Sequence, residues 1–141
     1  MGDRPGKSVG PGAAAAARTI YAGIISSTAI VSIGAYAVRR SFGILPGTGP
    51  LDFVALFAGV GAILLVLVLR ARFPARSGAS DDDWWKANAG RAITVWALLE
   101  APAILGAVTL FATGHLLAFT ALAAFALVGL ATLTPARLSG R

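Results

Sequence analysis

The chain has 141 residues, of which 57% are hydrophobic and 13% charged, and its net charge at pH 7 is +6. Soluble domains are about 45–50% apolar and about 25% charged, so this composition indicates an integral membrane protein with room for one small domain. The absence of cysteine excludes disulfides, thiolate metal sites and cysteine nucleophiles. The only histidine, His115, makes a metal cage built by the protein alone improbable, and no cofactor or metal site is predicted.

Residues 1–18 are rich in Gly, Pro and Ala and lack an amphipathic period, which predicts a disordered cytoplasmic leader; the alternative is that a helix starts at the alanine run of residues 13–17. An apolar segment follows over residues 19–38 and is closed by Arg39 and Arg40. Residues 35–37, Ala-Tyr-Ala, resemble a signal-peptidase site, so a cleaved secretory signal is the alternative. The length of the segment and the closing arginines favour a retained transmembrane helix.

The second and most apolar segment spans residues 51–69 and follows a connection rich in Gly and Pro. Asp52 lies in its first turn, where the free backbone amides and the positive end of the helix dipole favour a carboxylate. This position predicts a helix-capping role for Asp52.

Residues 70–91 are polar and predict a cytoplasmic loop. The acidic run at residues 81–83 predicts a helix N-terminus at the membrane surface. Trp84 and Trp85 follow as interfacial anchors, which we expect at the headgroup boundary rather than in a packed core. The alternative for the three aspartates is a divalent cation site, but no neighbouring residue completes one.

The third segment, residues 92–113, carries a single charge at Glu100, with Pro102 two residues later. A carboxylate inside a membrane helix costs roughly 2.5–3.5 kcal/mol on insertion scales, so it requires a polar partner, a proton or a function. The fourth segment, residues 116–133, is uncharged, and residues 134–141 form a short basic cytoplasmic tail.

Four such segments predict an all-α, polytopic membrane protein, a four-transmembrane-helix bundle in the cell membrane. Four spans place both termini and residues 70–91 on one side, and that side holds ten of the twelve basic residues. Only Arg39 and Arg40 lie on the other. Because basic residues collect on the cytoplasmic side, both termini are predicted to be cytoplasmic.

Depth within the spans predicts the partners of Glu100. Glu100 and Ser27 each lie eight residues beyond the start of a span that enters from the cytoplasm, so they share a level. Trp96 lies one turn before Glu100 and is predicted to donate its indole N–H to the carboxylate. Pro102 cannot bond to the Leu98 carbonyl. The candidate intramembrane polar site therefore comprises Glu100, Pro102, Trp96, Ser26, Ser27 and Thr28.

Small residues let membrane helices approach one another closely, because packing and hydrogen bonds replace the hydrophobic driving force in lipid. Several lie at helical spacing in the apolar segments. The predicted helix-packing positions are Gly23, Ala55, Gly59, Gly106 and Gly129.

Residues 97–106, ALLEAPAILG, followed by Thr113 and Gly114, resemble a group of small four-span bacterial membrane proteins of unknown function. Those proteins carry an A-L-x-E-x-P-A-x-x-G pattern in their third span, and the resemblance implies the fold without an activity. The motif is also similar to the carboxylate helix of the proteolipid (rotor-ring) subunits of rotary ATPases. That similarity implies that Glu100, six residues before Gly106, carries a proton or sodium ion. Pro102 and the additional span after this helix depart from the rotor family.

The leading functional hypothesis is a non-enzymatic accessory or assembly subunit of a membrane complex. Its expected partners are the lipid bilayer and other membrane subunits or a second copy of itself, without nucleic acid. The alternative is proton or cation translocation through Glu100. An enzyme is disfavoured because Asp52 and His115 are predicted near the outer face and Glu100 well inside, so no catalytic set shares one depth.

Overall fold

The structure is a computed structural model that describes residues 12–74 and 80–140, and these are helical over most of their length. The helices are α1 (Ala13–Phe42), α2 (Pro50–Ala71), α3 (Asp81–Thr113), α4 (Leu116–Thr132) and the short α5 (Pro135–Leu138). Within these two ranges, the only β-type pairing is an isolated bridge between Leu45 and His115. The all-α prediction is confirmed.

Three of the helices, α1, α2 and α3, are long and apolar enough to cross a membrane, and α4 is a shorter apolar helix of 17 residues. Large apolar side chains remain exposed along the outer surface of α2, among them Leu51, Phe53, Val54, Phe57, Val60 and Leu64. An exposed apolar surface of this extent is typical of a face that contacts lipid or another protein.

The central helix of the bundle is α3, which packs most extensively against α4 and α1 and also against α2. Its buried side chains form two groups. The larger core surrounds Trp85 and Trp96 near the start of α3, and the smaller core surrounds Leu110 and Phe119 near the turn between α3 and α4. Every other long helix is therefore positioned by contacts with α3.

Glycine allows close approach at three contacts that involve α4. A Cβ atom at Gly59 of α2 would overlap the Leu122 side chain, and one at Gly106 of α3 would lie 3.1 Å from the Leu122 Cβ. Gly129 lies against Leu99 in the same way, and Ala55 is buried. Gly23 differs from this group, since no atom within the described residues lies within 4 Å of its would-be Cβ. Its assignment to helix packing within this chain is therefore wrong.

The first helix begins six residues earlier than the hydropathy pattern predicts. Alanine has the highest helix propensity, and the Asp82 carboxylate accepts a hydrogen bond of 3.1 Å from the backbone N–H of Ala14. Ala14 and Ala17 are buried. Residues 13–18 thus belong to the bundle rather than to a disordered leader, whereas residues 1–11 lie outside the described residues.

The third helix begins at Asp81, as the acidic run predicts, and continues without interruption into the apolar segment. The Ser80 hydroxyl accepts a 3.2 Å hydrogen bond from the Asp83 N–H, and Arg18 forms a 3.2 Å ion pair with Asp81. The predicted loop of residues 70–91 is therefore shorter, because its second half is helical from residue 81 onward. Residues 75–79 lie outside the described residues. Four of the ten basic residues predicted on the cytoplasmic side also lie outside them, namely Arg4, Lys7, Arg76 and Arg141.

The C-terminal segment also differs from the predicted tail. Thr134 accepts a hydrogen bond from the Arg137 N–H and caps α5. Pro135, Leu138 and Ser139 are buried against the bundle. Residues 134–140 therefore fold back onto the end of the helices where α1 begins, instead of extending away from them.

Trp84 and Trp85 are both buried in the larger core, which corrects the expectation that they lie outside a packed core. Because α3 starts at Asp81, both indoles sit on the first turns of a helix that packs against the start of α1. Trp84 stacks on Phe73 with ring centroids 6.0 Å apart and donates its indole N–H to the Pro74 carbonyl at 3.3 Å. Aromatic packing and a backbone acceptor thus replace the expected lipid contact.

Candidate functional site

Glu100 is half-buried on α3 and is joined to α1 by a single side chain. The Ser27 hydroxyl donates to Glu100 Oε1 at 2.5 Å. The same hydroxyl lies 2.9 Å from the Ile24 carbonyl oxygen in the preceding turn of α1. The structure therefore brings together the two residues that the depth argument placed at one level.

The Ser27 hydroxyl has one proton and two acceptors within reach. When Glu100 is ionised, that proton is donated to the carboxylate, and the Ile24 carbonyl keeps a 2.8 Å hydrogen bond from the Thr28 hydroxyl. When Glu100 is protonated, its own O–H donates to Ser27 Oγ, and Ser27 turns to the Ile24 carbonyl. The contact is satisfied in both protonation states by rotation of one hydroxyl.

The other predicted members of the site do not contact Glu100. Thr28 is fully buried and bonds to its own helix, and Ser26 is exposed. Trp96 is buried and donates its indole N–H to the Leu133 carbonyl at 2.8 Å, so its predicted bond to Glu100 is wrong. Helical side chains lean toward the helix N-terminus, which carries the Trp96 ring away from Glu100. Pro102 is buried on a different side of α3.

Glu100 borders an exposed stripe of its own helix. Ala97, Ile104 and Val108 are exposed and follow one another at helical spacing, and we call this stripe the open face of α3. Glu100 lies between this face and the contact with α1. The bundle therefore encloses Glu100 on one side only.

A second polar cluster lies at the other end of α3. Asp52 is fully buried and accepts hydrogen bonds from the Gly49 N–H at 2.5 Å and from the Thr113 hydroxyl at 3.3 Å. His115 Nδ1 lies 2.6 Å from the Asp52 carboxylate. Asp52 therefore caps α2, as its position predicts, and also joins α2 to the α3–α4 turn.

The Asp52–His115 pair was missed because the sequence argument compared each residue only with Glu100. Both were placed near the outer face, and that shared level was the available signal. Gly114 adopts a φ of +78°, which allows its turn to approach Arg39 so closely that a Cβ would overlap the guanidinium. The Leu45 N–H donates to the Gly114 carbonyl at 3.0 Å. The link between α1 and α2 therefore contacts the turn between α3 and α4 at this point.

The Glu100–Ser27 contact thus lies within the apolar part of the bundle, and the Asp52–His115 contact lies at one end. Within the described residues, no group of three or more His, Cys, Asp or Glu side chains is placed to hold a metal ion. Comparisons with protein-family models, with curated proteins and with solved structures find no match to this chain.

Proposed function

We propose that this chain is a small integral membrane protein with four membrane-crossing helices, which serves as an accessory or assembly subunit of a larger membrane complex. The length and hydropathy of α1, α2 and α3 support three of the crossings. The fourth would be α4, whose 17 residues extend about 26 Å at helical rise, close to the hydrocarbon thickness of about 30 Å.

The observation that carries the proposal is the incomplete enclosure of Glu100. Among the described residues, the Ser27 hydroxyl is its one hydrogen-bond partner, although a carboxyl group offers several acceptor positions. In hydrocarbon an unsatisfied polar atom is costly, because no water replaces the missing partner. A neighbouring subunit docked on the open face of α3 would cover Glu100 and supply a donor. The exposed Ala97, Ile104 and Val108 side chains offer the apolar part of that contact.

This proposal predicts that a photo-crosslinking amino acid at Ile104 captures a defined membrane protein in native membranes. The matched control is the same amino acid at Phe57, which is exposed on the outer surface of α2. We expect the product at Ile104 to persist in Glu100→Gln, which keeps hydrogen-bonding capacity, and to fall several-fold in Glu100→Ala. Mass spectrometry of the crosslinked product identifies the partner. Equal capture of the same proteins at Ile104 and Phe57 would contradict a specific interface.

A second candidate function, proton or cation translocation, is favoured by the Ser27 geometry, which accommodates both protonation states of Glu100. It predicts proton uptake by vesicles containing the purified protein. Glu100→Gln, which cannot ionise, should abolish that uptake, and Ser27→Ala should reduce it. The measurement is the quenching of a pH-sensitive dye under an imposed membrane potential. Uptake equal to that of empty vesicles would exclude translocation by the isolated chain.

A further inference from the structure

A basic cavity of about 300 Å³ lies where α2 ends and the apolar part of α3 begins, and it is lined by Leu69, Arg72, Arg91 and Thr94. None of the described residues that line it carries a carboxylate. Neither Arg72 nor Arg91 forms an ion pair within the described residues. The carboxylates that do pair there have other partners, namely Arg18 for Asp81, Lys86 for Asp83 and His115 for Asp52. Two arginines that have no acidic partner among the described residues therefore line one cavity. The Thr94 hydroxyl donates to the Gly90 carbonyl at 3.0 Å, so the arginines are the available donors.

An apolar cavity lies further along the same pair of helices. This second cavity of about 280 Å³ is lined by Ala58, Gly59, Ala62, Ala101, Pro102 and Leu105. On α2, residues 58, 62, 65, 69 and 72 recur at intervals of three and four, as do residues 91, 94, 98, 101 and 105 on α3. Such spacing keeps each set on one side of its helix. The basic cavity and the apolar cavity therefore lie on the same side of the α2–α3 pair, about two helical turns apart, and we call the surface that holds both the α2–α3 groove.

We propose that the α2–α3 groove binds an anionic phospholipid, with its phosphate between Arg72 and Arg91 and an acyl chain along Ala58, Ala62 and Leu105. This inference rests on the proposed membrane insertion, which places the ends of α2 and of the apolar part of α3 at headgroup depth. Guanidinium groups match phosphate oxygens in bidentate geometry, and basic pockets between membrane helices suit anionic headgroups. The small side chains of the groove leave the width that an acyl chain occupies. A free phosphate would use the basic cavity alone and leave the apolar cavity empty.

The test is native mass spectrometry of the purified full chain in a neutral detergent, titrated with phosphatidylglycerol or with phosphatidylcholine of the same acyl chains. We expect preferential retention of phosphatidylglycerol. Arg72→Gln and Arg91→Gln should each weaken its binding about fivefold, and the double variant about 25-fold. Ala62→Phe, which fills the groove, should weaken lipid binding while inorganic phosphate binding stays unchanged.

The matched control is Arg70→Gln. Arg70 belongs to the same end of α2 but lines a different cleft with Leu99 and Phe125, so we expect less than a twofold change. If Arg70→Gln weakened phosphatidylglycerol binding as much as Arg72→Gln or Arg91→Gln does, the lipid preference would come from general surface charge and not from a specific site. Equal binding of the two lipids would also overturn the proposal. So would a protein that binds inorganic phosphate but whose lipid affinity does not change in Ala62→Phe.

Reporter fusions after Gly47 and after Arg141 separate failure of this inference from failure of the proposed function. Opposite locations for the two reporters support membrane insertion, so that a missing phosphatidylglycerol preference then rejects the lipid site alone. Identical locations for both reporters would reject the four-crossing arrangement and leave the lipid site to be decided by the lipid titration, because α2 and α3 still cross if only α4 does not.

Discussion

Replacing Trp96 with alanine should lower the free energy of unfolding of the detergent-solubilised protein by about 3–5 kcal/mol, the range for truncation of a fully buried aromatic side chain. Trp96 is completely buried at the centre of the larger core. Its ring centroid lies 5.2 Å from that of Tyr21 and 6.0 Å from that of Trp85. The truncation removes both ring contacts and leaves the Leu133 carbonyl without its 2.8 Å donor.

Trp96→Phe separates packing from hydrogen bonding. The phenyl ring keeps much of the indole volume but has no N–H, so we expect about 1–3 kcal/mol of destabilisation, the cost of leaving a buried acceptor unsatisfied. The control is Val108→Ala on the open face of α3, which should change stability by about 0.5 kcal/mol or less. Unfolding followed by circular dichroism measures all three variants. A Trp96→Ala variant as stable as Val108→Ala would show that the core does not depend on this residue.

Much of the helical fold follows from features that operate within one segment. Hydropathy and length identify the apolar helices, and the acidic run at residues 81–83 identifies the start of α3. The sequence of one segment does not reveal the hydrogen bonds and packing contacts that a distant segment makes with its ends. The Asp82 carboxylate that bonds to Ala14 lies 68 positions away in the sequence, so residues 13–18 look like a leader until α1 and α3 are seen side by side.

The Glu100–Ser27 contact is predictable because helical rise is fixed. Two helices that enter from the same side place residues at equal distances from their starts at equal depths. Depth does not determine rotation about the helix axis, however. For this reason Ser27 reaches Glu100 while Ser26 is exposed, and Trp96 reaches the end of α4 instead of the carboxylate.

The Asp52–His115 pair could be placed at one end of the bundle from sequence but could not be paired. Its members lie 63 positions apart, and each belongs to a turn whose own conformation decides where the side chain reaches. Gly114 supplies the positive φ that ends α3, and Gly49 supplies an N–H to Asp52. Contact between the α1–α2 link and the α3–α4 turn is a property of the assembled helices.

Breaking the Asp52–His115 pair should be the second large loss of stability. Asp52 is fully buried, and the side chain of His115 is 19% exposed. Leaving one member of a buried hydrogen-bonded pair without its partner costs about 1–3 kcal/mol, and more when that member is charged, so we expect about 2–3 kcal/mol for either alanine variant. Thr120→Ala, an exposed change on α4, should stay within about 0.5 kcal/mol of wild type.

A double-mutant cycle tests whether the two side chains act on each other. His115→Ala leaves the buried Asp52 carboxylate with the Gly49 N–H and the Thr113 hydroxyl only, whereas Asp52→Ala leaves the imidazole without its carboxylate partner. The double variant removes both groups and should therefore be less destabilised than the sum of the single variants, by about 1–3 kcal/mol. Unfolding of the four proteins in one detergent gives this coupling energy. Strict additivity would mean that Asp52 acts only as the cap of α2 and that α2 is joined to the α3–α4 turn by other contacts.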